Sequence, residues 1–150
     1  MMTNLKDTLL ADLKDAMRAR DQKKLNTLRL ITSAIKQIEV DERIVVDDMR
    51  LLVILDKMAK QRNESIQQFQ LANRTDLVEQ EQFELGIIGH YLPDPLADNE
   101  IATHVEKALI TLEAKQISDM GKVMAHLKPL LQGRADMSKV SAMIKAKLAP

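Results

Sequence analysis

Apolar residues recur at three- and four-residue spacing along almost the whole chain, the mark of amphipathic helices rather than strands. Leu5, Leu9, Leu13, Ala16 and Met17 make the first stripe, with Thr3 or Asn4 placed to cap it. Asp21 opens a second helix carrying Leu25, Leu28, Ile31, Ile35 and Ile38. The pattern breaks from Asp41 to Val46, where Ile44, Val45 and Val46 are read as a loop that tucks apolar side chains against the bundle. Asp47 or Asp48 caps a long helix to about Asn73, with Leu51, Leu55, Met58, Arg62, Ile66 and Phe69 along one face. Arg62 interrupts that face, and its aliphatic stem is expected to lie along apolar surface while its head reaches water. Thr75 is placed to cap the next helix, whose stripe runs Leu77, Glu81, Leu85, Ile88, Leu92.

Pro93 and Pro95, within Leu92-Pro93-Asp94-Pro95-Leu96, cannot sit inside a helix and mark the clearest boundary. Beyond it Asp98 caps a helix bearing Ile101, Val105, Ala108, Leu109 and Leu112. Val123, Met124, Leu127, Leu130 and Leu131 predict another, in which Pro129 implies a kink or an early end. Gly133 stands where a left-handed residue would follow that helix, and Asp136 where an N-cap would start the last one, with Val140, Met143, Ile144 and Leu148 inward. The expected fold is all-α: an N-terminal bundle of about four helices over 1–93 and a C-terminal three-helix module over 96–150.

Composition narrows the function classes. Aromatic residues are 2% of the chain, so the core is aliphatic, as helix-on-helix packing prefers. Cysteine is absent, which excludes disulfides, thiol catalysis and thiolate metal sites. Charges within the first fifteen residues interrupt any signal-peptide core, and no run of about 20 apolar residues exists to span a bilayer. The cytoplasm is the expected compartment.

Net charge is zero, against a general polyanion binder, but its placement is uneven. From Gln116 onward Lys122, Lys128, Arg134, Lys139, Lys145 and Lys147 face only Asp119 and Asp136, a net of +4. From Asp47 to Pro95 five basic residues face nine acidic ones, a net of −4. No aromatic residue follows Tyr91, so RNA contact through the tail would rest on phosphates and shape rather than base stacking. The bland alternative is a three-helix module with a Lys-rich solvent face.

Four blocks resemble the GatB/YqeY family. They are Thr27-Leu28-Arg29-Leu30-Ile31 with Ala34-Ile35-Lys36; Lys60 to Ile66 with Phe69 and Ala72 to Leu77; Glu81, Glu84 and Tyr91-Leu92-Pro93; and Met120-Gly121-Lys122-Val123-Met124 with Leu127-Lys128-Pro129 and Gly133-Arg134-Ala135-Asp136. The last resembles the tail domain of GatB, the B subunit of tRNA-dependent amidotransferases, where Gln commonly replaces Lys122. The resemblance implies a YqeY-like protein whose tail contacts tRNA or other structured RNA, with an amidotransferase or aminoacyl-tRNA synthetase as possible partner. Lys122, Lys128, Arg134 and Lys139 are the RNA-binding candidates, Arg134 because a connector side chain projects free of helix neighbours and grips phosphate in two places. Gly121, costly near a helix start, suggests close approach by a backbone or ligand.

The same resemblance links the chain to carbon–nitrogen ligase chemistry with glutamine as amide donor. Nothing in the residues supplies it: there is no Cys nucleophile and no Gly-rich phosphate loop. No catalytic residue, cofactor or metal is assigned. Glu100 and His104 make at most half a metal site, and His90, His104 and His126 read as exposed helix residues. Asp76, Glu79, Glu81 and Glu84 read as a solvated acidic face, with Glu81 placed to pair with Arg62 or Arg29. Lys57, Lys60, Arg62 and Arg74 form a second basic set, mostly helix decoration. A helical protein-interaction adaptor, using an apolar groove between the domains, is the alternative function.

Overall fold

Local capping chemistry decides where each segment starts. In the computed structural model, which describes residues 4–149, the Asn4 side chain accepts from the Asp7 amide and opens α1 (Leu5–Ala19). Thr3 lies outside the described residues. Asp21 caps α2 (Gln22–Glu42) and Asp47, rather than Asp48, caps α3 (Asp48–Leu71). Two caps differ from expectation. Helix α4 (Thr75–His90) starts after Arg74, without a side-chain cap, so Thr75 is already helical. Helix α5 (Asp98–Thr111) starts after Ala97, whose amide donates to Glu100; Asp98 therefore points elsewhere. A 3-10 turn (Ile117–Asp119) leads into α6 (Met120–Leu131), and Asp136 caps α7 (Met137–Leu148) through the Ser138 amide. The described residues hold no strand, only an isolated bridge between Gln132 and Ala135.

Four helix ends turn through a left-handed residue that is not glycine: Arg20, Arg43, Asn73 and Glu113. At each, the next amide reaches back five residues, as in Asp21 to Ala16, Ile44 to Glu39, Arg74 to Phe69 and Ala114 to Leu109. These pairings satisfy carbonyls a helix end would otherwise leave open. Gly133, at φ 82, is also left-handed but closes a tighter turn after α6, in which the Arg134 amide reaches back three residues to Leu131.

The chain divides into two compact units, Met1–Leu92 and Pro93–Pro150. In the first, Leu9, Leu28, Ile31, Leu51, Leu55 and Ile88 are fully buried, each contributing about 1.5–3 kcal/mol of transfer free energy. The 43–47 connector tucks in only Val46; Val45 is 82% exposed and Ile44 is also at the surface. The Val46 amide donates to Glu39, which also accepts from Lys6 at 2.6 Å. The Lys6 bond, then the Val46 amide, hold the Glu39 carboxyl below its ordinary pKa. Tyr91, at the end of α4, donates to Asp12 of α1 at 2.6 Å. Burial first, then that bond, push the phenol pKa up.

Helix α4 is turned from the orientation its stripe predicts. Val78, Glu84 and Ile88 are buried, while Leu77, Glu81 and Leu85 are half-buried. Glu84, not Glu81, therefore faces inward.

In the second unit, Val105, Val123, Leu127, Leu131, Val140 and Ile144 form an aliphatic core. Leu130, expected inward, is 47% exposed. Helix α6 does not end at Pro129 but runs on to Leu131. Pro129 and Ala125 are both exposed, so the carbonyl that loses its partner to the proline can be hydrated. Lys122 reaches the Leu112 carbonyl at one end of α5, and the Leu96 amide donates to Arg134 at the other. Helix α6 thus runs against α5, and α7 returns alongside it.

Candidate nucleic-acid interface

The four candidate cations occupy distinct settings within the second unit. Lys122, in the first turn of α6, donates from Nζ to the Leu112 carbonyl at 3.2 Å and pairs with Asp119 at 3.5 Å. It closes the end of α5. Asp119 also accepts from the Lys115 and Gln116 amides; these bonds, ahead of Lys122, hold its carboxyl below the ordinary pKa. Lys128 is exposed and has no partner among the described residues. Six residues apart on one helix, Lys122 and Lys128 point about 120° away from each other.

Arg134 does not project freely. It is half-buried, and its Nε donates to the Asp94 carbonyl at 3.4 Å. Lys139 pairs with Asp98 at 2.7 Å, and Lys147 with Glu106 at 3.4 Å. The two pairs are each eight residues apart on α5 and on α7, which shows that these helices run in the same direction. Arg134 and Lys139 therefore lie at the N-terminal end of α5, and Lys122 at its C-terminal end. Helix α5 has 14 residues, about 21 Å of rise. The structure brings Arg134 and Lys139 together, leaves Lys128 less than two turns upstream of Arg134, and sets Lys122 apart.

The charge of the folded unit also differs from that of the tail alone. Residues 93–150 carry Lys107, Lys115, Lys122, Lys128, Arg134, Lys139, Lys145 and Lys147 against Asp94, Asp98, Glu100, Glu106, Glu113, Asp119 and Asp136, a net of +1. Helix α5 supplies three of these seven acidic groups, and the interval from Gln116 onward excludes them. Gly121 is not a point of close approach: a Cβ there would meet nothing within 4 Å.

The other candidates resolve differently. Arg62 Nη2 lies 3.7 Å from Glu84 Oε1, with side chains 16% and 9% exposed, and Arg62 Nη1 reaches the Met58 carbonyl. The head is drawn into the α3–α4 seam instead of into water, and its Nε is buried without a partner. Glu84 is thus no part of a solvated acidic face. Beside it, burial first and the Glu84 charge second raise the Glu81 pKa, with Arg62 opposing. Arg74 forks onto Asp76 through Nε and Nη2, and that bond raises the Arg74 pKa and lowers the Asp76 one. Lys57 and Lys60 are exposed, so the four residues form no single group. His90 and His126 are exposed and His104 half-buried. Glu100 is engaged at the start of α5, and among the described residues no three His, Cys, Asp or Glu side chains are grouped to hold a metal. No described helix is long and apolar enough to cross a membrane.

Comparison with known proteins connects this architecture to its relatives. The chain is 35% identical over 140 residues to "Altered inheritance of mitochondria protein 41, mitochondrial" of Pyrenophora tritici-repentis, covering 91% of this chain and 77% of that protein. It is 40% identical over 111 residues to the protein of the same name from Vanderwaltozyma polyspora, covering 72% and 60%. The Lachancea thermotolerans protein of that name is 35% identical over 143 residues, covering 91% and 76%. These relatives are named as mitochondrial. A family model described as Yqey-like protein matches residues 6–148, and the chain belongs to that family.

Proposed function

We propose that this YqeY-like chain is a non-catalytic accessory protein of the cytoplasm that binds structured RNA, tRNA being the favoured class, through the connector end of its C-terminal unit. An aminoacyl-tRNA amidotransferase or synthetase is its expected neighbour. The observation that carries the reading is the Gly133 turn, which delivers Arg134 and Lys139 to one end of the unit downstream of the unpartnered Lys128. Lys122 closes the opposite end of α5 and is left out of the contact set.

Binding is expected to be weak, because Lys139 must exchange Asp98 for a phosphate and the unit has little net charge to steer association. With about three phosphates engaged, log K should fall against log salt with a slope of roughly −2 to −3. A tRNA gel-shift series across salt tests this. Joint replacement of Lys128, Arg134 and Lys139 by Ala should abolish the salt-sensitive shift, while Lys122→Ala keeps it. A wild-type protein with no salt-sensitive binding would overturn the reading.

A further inference from the structure

The first unit carries a feature that the RNA reading leaves unused. Between α1 and α2 lies an open groove of about 280 Å³, floored by Leu9, Leu10 and Ile35 and closed at one end by the Lys6–Glu39 ion pair. Leu9 and Ile35 are almost fully buried, whereas Leu10 is 40% exposed. The Arg20 turn makes α1 and α2 antiparallel, so the groove's surroundings can be followed toward that turn. On α1, Lys14 and Met17 continue the ridge of Leu10 at i+4 and i+7, and Met17 is 51% exposed. On α2, Arg29 shares the side of Lys36, two turns away.

The cations along this seam are available. Lys14, Arg29 and Lys36 are exposed and have no ion-pair or hydrogen-bond partner for their side chains among the described residues. Most neighbouring carboxylates are engaged inside the unit: Asp12 with Tyr91, Asp21 with the Lys24 amide, Glu39 with Lys6, and Asp41 with Gln37, whereas Asp7, three residues before Leu10, is exposed with no side-chain partner among the described residues. The apolar trough, lined by Lys36, therefore continues into a seam where the three unpaired cations Lys14, Arg29 and Lys36 outweigh the one unpaired carboxylate of Asp7.

We infer that the α1–α2 groove docks an acidic amphipathic helix of a partner protein, its apolar stripe on Leu10 and Met17 and its carboxylates against Lys14, Arg29 and Lys36. The span from Leu10 to Met17 is about 10 Å, two turns, matching anchors at i, i+3 or i+4, and i+7 of an incoming helix. The trough is concave, with its apolar floor below the basic rims, which suits an inserted helix better than a flat bilayer surface. An RNA strand would leave the aliphatic floor unfilled.

The test uses the full chain and a fluorescent designed peptide of about 18 residues with Leu at helical anchor spacing and Glu on the flanks. Anisotropy should report binding that weakens with salt, and amide chemical-shift changes should map to α1 and α2. Arg29→Glu with Lys36→Glu should weaken binding at least about tenfold, and Leu10→Lys should do the same, with helicity unchanged by circular dichroism. Lys128→Glu, in the other unit, should leave peptide affinity unchanged. A Lys-flanked peptide with the same Leu pattern should not bind. Equal binding of both peptides, shift changes away from α1 and α2, or no binding of the acidic peptide would each overturn the inference. So would binding only to vesicles containing phosphatidylglycerol, which would assign the groove to a lipid surface.

Discussion

The first unit draws a guanidinium and a carboxylate, Arg62 and Glu84, into the seam between α3 and α4. The second buries no charged side chain among the described residues and holds its Lys139–Asp98 and Lys147–Glu106 pairs at the surface. The contrast shows two uses of charge in similar helical packing. A buried pair adds little net stability over an apolar substitute, but it penalises any arrangement that separates the partners. An exposed pair is weak and exchangeable, so it leaves a surface open to other ligands.

The strongest way to break this comparison is to remove one half of the buried pair. Glu84→Leu leaves Arg62 uncompensated and should cost the first unit about 3–5 kcal/mol. Denaturant unfolding, with amide exchange read in α3 and α4, measures it. Combining Glu84→Leu with Arg62→Met should recover most of the loss. If single and double variants are equally unstable, packing of the Glu84 stem matters rather than its charge.

In the second unit the larger effect should come from the backbone. Gly133→Val forces a β-branched residue to φ 82 and should cost about 1–3 kcal/mol. The loss should appear as faster amide exchange in α6 and α7. Protection equal to wild type there would show that the connector relaxes at no cost.

These two sites also measure what could be read ahead of the structure. Gly133 was legible because a left-handed turn followed by an Asp cap is a local signal. Asp21 and Asp136 were legible as caps, and Asp47 as one of two adjacent candidates, because an Asp just ahead of an apolar stripe is itself a local signal. The inward turn of Glu84 was not, because Glu81 and Glu84 lie one turn apart and both suit a helical stripe; only the position of Arg62 on α3 separates them. The non-glycine turns at Arg20, Arg43 and Glu113 carried no residue signal, since each is held by main-chain bonds. The candidate interface was the least legible part. Lys139 meets Asp98 and Lys147 meets Glu106 across 41 residues of chain, and no periodicity reports that pairing.

Acidification should sharpen the comparison further, with opposite signs for two carboxylates. The Asp119 pKa is depressed by the Lys115 and Gln116 amides, so its stabilisation is present above the unfolded pKa and lost as pH falls through the folded one. The Glu81 pKa is raised by burial, so the folded state favours its protonated form and that advantage fades as pH rises from the unfolded pKa through the folded one. Asp119→Asn should flatten the acid loss in the second unit, and Glu81→Gln should stabilise the first above that window. Unfolding curves across pH with local exchange probes check both, and matching signs would refute the assignment.

The smallest expected effect belongs to the surface pair. Asp98→Asn should change stability by less than about 0.5 kcal/mol, since Lys139 and Asp98 are 51% and 72% exposed. The same substitution should tighten tRNA binding by freeing Lys139, a rise visible in gel shift. A large stability loss would make the pair structural and remove the rationale for exchange with phosphate.

The hydrogen bond from Tyr91 to Asp12 has a further consequence for synthesis. Its partners stand 79 residues apart, so at roughly ten residues per second Asp12 waits about 8 s for the side chain that completes it. Helices α1 and α2 can pair early, yet the surface that α3 and α4 will cover stays open throughout that interval. The second unit begins at Pro93, so its assembly starts only once the first unit has every residue it needs.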